Sequence, residues 1–62
     1  MNNKQRTQLK KAKKIIEEVL YENECSFENL PEGLQYGSPG ESIEEAIQWL
    51  EEAINALSEV IP

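Results

Sequence analysis

The side chains here that could do acid–base or nucleophilic chemistry are twelve acids, all glutamate, and one cysteine; histidine and aspartate are absent. Glutamates stand in pairs at Glu17-Glu18, Glu44-Glu45 and Glu51-Glu52. Two carboxylates divide acid and base roles only where a shielded site drives their pKa values apart. Neighbours on an exposed helical face have no such shelter, so the pairs read as a solvated strip. No positioned nucleophile or glycine-rich phosphate loop accompanies them. The sequence therefore argues against an enzyme, and no cofactor is expected. The usual metal clusters need histidine, aspartate or several cysteines, so no metal is expected either.

Cys25 is flanked by Glu22, Glu24 and Glu28, whose charges oppose thiolate formation. It reads as a buried or half-buried structural residue. A single thiol also fits a reducing cytoplasm.

The elements that must position these groups are helices. Leu9, Ala12, Ile16 and Val19 recur at helical spacing, with Ile15 and Leu20 beside them. Lysine, glutamine, glutamate and leucine surround them, and all favour helix. Pro31 disfavours helical geometry at Leu30, so this helix is expected over about residues 3–28. A turn follows over about residues 29–38, rich in proline and glycine. Phe27, Leu30 and Leu34 are expected to fold back over the end of the hairpin, with Tyr36 able to join them, its hydroxyl facing water. A second helix is expected over about residues 39–60, with Ser38 as N-cap, Pro39 in the first helical position and Glu41 completing a capping box. Ser42 is a second, overlapping cap.

From Glu44 to Ile61 the chain repeats every seven residues: Glu-Glu-Ala-Ile-Gln-Trp-Leu, Glu-Glu-Ala-Ile-Asn-Ala-Leu, Ser-Glu-Val-Ile. With Ile47, Ile54 and Ile61 at heptad position a, Ile43, Leu50 and Leu57 fall at d. Ala46, Ala53 and Val60 fall at g, and Trp49 and Ala56 at c. These four positions are contiguous on a helix and make a wide apolar sector. One facing helix covers only a narrow seam. A chain of 62 residues is also near the lower limit for folding alone. The expected architecture is a single all-α domain over 1–62: a two-helix antiparallel hairpin that dimerises into a four-helix bundle. Its interface would draw on Ile16, Val19, Ile43, Ala46, Ile47, Trp49, Leu50, Ala53, Ile54, Leu57 and Val60.

Charge is segregated. All six cations lie between Lys4 and Lys14, and every acid lies from Glu17 onward. An antiparallel hairpin brings the basic start of the first helix beside Glu51, Glu52 and Glu59. The formal net charge of −6 argues against non-specific nucleic-acid binding by the whole molecule. The basic segment has no interleaved aromatics and reads as a solvated helix. Alternatively, the acidic strip imitates a phosphate backbone. Trp49 is either a core residue at the seam or a binding hot spot. The candidate partner surface is Tyr36, Trp49, Glu44, Glu51 and Glu52. No apolar run approaches the ~20 residues of a membrane span, so no membrane partner is expected.

The segment Phe27-Glu28-Asn29-Leu30-Pro31-Glu32-Gly33-Leu34-Gln35 is followed by Gly40-Glu41, Ile43-Glu44-Glu45-Ala46-Ile47 and Leu50-Glu51-Glu52-Ala53-Ile54. It resembles a group of small helical-hairpin proteins of phages and mobile elements of Firmicutes, mostly without assigned function. Their turn reads Phe-Asp-Asn-Leu-Pro-Glu-Gly-Leu-Gln and precedes a Glu-Glu-Ala-Ile helix. The resemblance covers roughly residues 24–57, and the turn is its specific part. Glu28 stands where the group has aspartate, and the first helix is more basic and shorter. The resemblance implies a non-enzymatic protein in the host cell cytoplasm that binds a host protein, as an inhibitor of an antiviral defence system. The alternatives are a small structural or assembly protein of the phage, and an acidic nucleic-acid mimic.

Overall fold

The computed structural model describes residues 1–61. Two long helices, α1 (Asn3–Glu28) and α3 (Ser38–Val60), flank a single short turn of helix, α2 (Glu32–Gln35). No strand occurs among the described residues. At ~1.5 Å per residue, α1 and α3 laid end to end would exceed ~70 Å. The Cα envelope is 48 × 15 × 13 Å, so they lie side by side. The short connection makes the pair antiparallel, and the two helices pack along one another.

The start of α1 is capped by Asn2. Its side-chain oxygen accepts from the Gln5 backbone N–H at 2.8 Å, and Gln5 Oε1 accepts from the Asn2 N–H at 3.1 Å. Two of the helix's orphan donors are thereby satisfied.

The start of α3 differs from the expectation. Gly37, not Ser38, is the N-cap, no side chain caps it, and Pro39 falls in the second helical position. The Glu41 N–H reaches the Gly37 carbonyl at 3.0 Å. The cause lies in α2. Its helical turn delivers the chain to Gly37 already at the helix entrance, so Ser38 is drawn into the helix.

The inward stripe of α1 also shifts. Leu9, Ala12, Ile16, Leu20, Asn23 and Phe27 are half-buried, whereas Val19 is 39% exposed and Ile15 60% exposed. Spacings of three, four, four, three and four keep this stripe on one side of a 3.6-residue helix. On α3, Ile43, Ala46, Ile47, Leu50, Ala53, Ile54, Leu57 and Ser58 are half-buried.

The connection closes the hairpin more thinly than expected. Phe27 and Leu30 are half-buried, but Leu34 is 45% exposed and Tyr36 80% exposed. The polar Gln35 holds this end instead. Its Nε2 donates to the carbonyls of Phe27 and Leu30, each at 3.2 Å. Those carbonyls lie at the end of α1 and just beyond it, where the helix itself supplies no donors. α2 packs on α3, the Gln35 side chain ties it to the end of α1, and Leu34 and Tyr36 stay exposed.

Among the described apolar side chains only Ile61 is buried, with 8% still exposed, and the one other buried residue is Gly40. The hairpin therefore has a seam and not an enclosed core.

Candidate interaction surfaces

Helical geometry sorts the residues beside that seam. Each residue advances about 100° around its helix. Viewed from the N-terminus of α1, Ile15 and Val19 lie counter-clockwise of the inward stripe. Viewed from the N-terminus of α3, Ala46, Trp49, Ala53, Ala56 and Val60 also lie counter-clockwise of its stripe. In an antiparallel pair, offsets of the same sense fall on the same side of the plane holding both axes. These residues therefore share one face. Trp49 is 60% exposed there and Val60 48% exposed. Gln8, Ala12 and Ser26 from α1 and Ser42 from α3 extend it. Its centre carries no charge, and Lys11, Glu22 and Glu45 stand at its margins.

The opposite face has another character. Arg6, Lys10, Lys13, Glu17 and Glu24 come from α1, and Glu44 and Glu51 from α3. The hairpin is thus two-sided, with an uncharged apolar face backed by a charged one.

The residues singled out in the sequence distribute accordingly. Ile16, Ile43, Ile47, Leu50, Ile54 and Leu57 line the seam between α1 and α3. Val19, Ala46, Trp49, Ala53 and Val60 border the apolar face. The five residues of the candidate partner surface do not form one patch. Trp49 is on the apolar face, Glu44 and Glu51 are on the charged face, Glu52 is on the back of α3, and Tyr36 is at the closed end. Helical phase accounts for the split, because Trp49 and Glu51 are about 200° apart on one helix. Ile15 was not among the interface residues expected from sequence, yet it is the most exposed aliphatic side chain of the apolar face. Its place next to the α1 stripe was the available signal.

Cys25 is half-buried and free. It lies one turn from Tyr21, which is 68% exposed. The neighbouring Cys25 sulfur, through hydrogen bonding and its charge, with lesser contributions from Glu28 and Glu24, raises the Tyr21 pKa above its ordinary 10.0. The outer side of α1 also carries an open depression lined by Lys14, Glu17, Glu18, Tyr21 and Glu22. All five residues come from one helix, so the depression has no opposing wall. Among the described residues no three histidine, cysteine or acidic side chains gather as a metal site. No helix among them is long and apolar enough to cross a membrane.

Comparison with known proteins identifies no matching family model, no matching curated protein and no matching solved structure.

Proposed function

We propose that this chain is a small non-catalytic binding protein of a phage or related mobile element, that it works as a homodimeric four-helix bundle, and that its target is a host protein. The observation that carries the reading is the incomplete core. Ile15, Trp49 and Val60 are about half exposed or more, and nearly every seam residue is only half covered. Such a chain gains its missing burial from another protein surface. The phage setting rests on the turn from Phe27 to Gln35. Once the apolar face is covered, the charged face with Glu44 and Glu51, and the closed end with Leu34 and Tyr36, remain for the target. Inhibition of an antiviral defence enzyme is the activity proposed for that contact.

Sedimentation of the purified chain tests the dimer, and a folded monomer at micromolar concentration would reject it. Affinity purification from host lysate, at two salt concentrations and read by mass spectrometry, tests the target. Stoichiometric capture of one host protein is expected. Abundant incorporation into purified phage particles would replace this reading with an assembly role. Capture that collapses with modest salt would favour acidic mimicry of nucleic acid.

A further inference from the structure

We propose that the uncharged face is the dimer interface, and that a second copy of this chain seats on it antiparallel, α3 against α3 and α1 against α1, with the two-fold axis passing beside Ala53. This deepens the homodimer reading above and depends on it.

The order of large and small residues supplies the first argument. Along α3 the face reads Ala46, Trp49, Ala53, Ala56, Val60. Reversed on itself about Ala53, it sets Val60 level with the partner's Ala46 and Trp49 within one residue of the partner's Ala56. Each bulky side chain meets a small one, and Ala53 meets its own copy. A C2 interface demands this kind of self-complementarity.

The first helix fits the same axis. Reversed about Glu17, α1 sets Ile15 level with the partner's Val19. The closed end of the hairpin relates the two helices, because Gln35 bonds the Leu30 carbonyl and abuts Gly40. Thirteen residues along α3 from Gly40 is Ala53, and thirteen back from Leu30, two residues past the end of α1, is Glu17. One axis therefore serves both seams.

Charge selects the direction. Every cation lies in the first half of α1 and every acid beyond it. Antiparallel stacking of α1 on its copy sets Lys11, at the margin of the face, beside the partner's Glu22. A two-fold axis running along the helices would instead stack α1 on the partner's α3 and gather the basic segments of both copies at one end of the bundle. The outline of the face, 48 × 15 Å or about 700 Å² per chain, is close to the ~800 Å² per partner of a standard stable interface.

The test uses the full chain with Cys25→Ser, so that an introduced thiol is the only one. In that background Ala53→Cys is expected to form a disulfide-linked dimer on mild oxidation. Two copies of an alanine position on the axis bring their Cα atoms within the span a disulfide needs. Asn55→Cys, on the charged side of α3, is the control and is expected to stay reduced. Lys11→Glu is expected to weaken the dimer several-fold in sedimentation, and adding Glu22→Lys is expected to restore it. A chain that sediments as a dimer but cross-links no better at position 53 than at 55 overturns the face and orientation while leaving the dimer. A folded monomer overturns both. Circular dichroism of each variant separates loss of association from loss of helix.

Discussion

The backbone of Gly40 lies against the backbone of Gln35, with no room between them for a β-carbon. Gly40→Ala should gain about 1 kcal/mol of helix propensity. The added carbon would meet main-chain atoms, which cannot swing aside as a side-chain tip does. Net destabilisation of about 1–3 kcal/mol is expected, by analogy with overpacked cores. Gly33→Ala is the contrast, since nothing lies within 4 Å of its added carbon and no described glycine has a positive φ. It should stabilise by up to about 1 kcal/mol through the unfolded state. Thermal melts by circular dichroism should move in opposite directions for the two variants.

Gln35 holds two carbonyls with one amide group. Gln35→Leu should cost about 1–2 kcal/mol, because the Leu30 carbonyl loses its donor and the Phe27 carbonyl keeps only the Leu30 N–H. Gln35→Glu should be worse at neutral pH, since it sets a carboxylate against both carbonyls. The protonated acid restores one donor, so the folded state raises that carboxyl's pKa above the unfolded value of ~4.3. Stability of the Glu variant should be highest below that value and fall as pH rises through the raised one. Denaturant melts across the acid range measure this.

The Cys25 sulfur favours the protonated phenol of Tyr21 over the phenolate. Its folded pKa lies above the unfolded value, so the stability from this contact is present below about pH 10 and lost as pH rises through the folded pKa. An absorbance titration of Tyr36→Phe isolates Tyr21, as the sequence has two tyrosines. Adding Cys25→Ala should return the midpoint toward the ordinary 10.0.

Asn2→Ala removes the capping box of α1. A cost of about 1 kcal/mol is expected at a cap of this kind. Because the cap sits at the helix end, the loss should appear as faster amide exchange at Gln5 and Arg6. Exchange near Ile16 should change little.

Trp49 is the only tryptophan, so intrinsic emission reports the apolar face. In a single chain the indole is 60% exposed. Association through this face should shift its emission to shorter wavelength as protein concentration rises. Emission that is constant over a hundredfold dilution of folded chain would speak against that face.

The two long helices were legible in the sequence because each carries a stripe at helical spacing. The course of the α1 stripe was not. A polar residue, Asn23, occupies an inward position, and its Nδ2 donates to the Val19 carbonyl at 2.9 Å. That local bond lets it sit at the seam, but apolar periodicity alone passes over it. Val19 therefore looked like the next inward residue, when Leu20 is. The N-cap was misplaced for a similar reason. Ser38-Pro39-Gly40-Glu41 matches a capping box locally, and only the turn of α2 before it shows that Gly37 already fills that role. Gly40 itself gave no signal, since glycine in a turn is expected whether or not a backbone lies against it. The width of the apolar sector on α3 was legible from heptad positions c and g. Its continuation onto α1 required the antiparallel packing of the two helices.

That nearly every apolar side chain stays partly uncovered has a consequence for how the protein would be dosed. If a second copy supplies the missing half of the core as proposed, folding and assembly would become one equilibrium, and stability would depend on the concentration of the chain itself. A few molecules per cell would be mostly open and would be cleared by proteases. Strong expression would carry the population past a threshold and make it persist. Abundance, set by transcription, would then decide whether the protein acts at all.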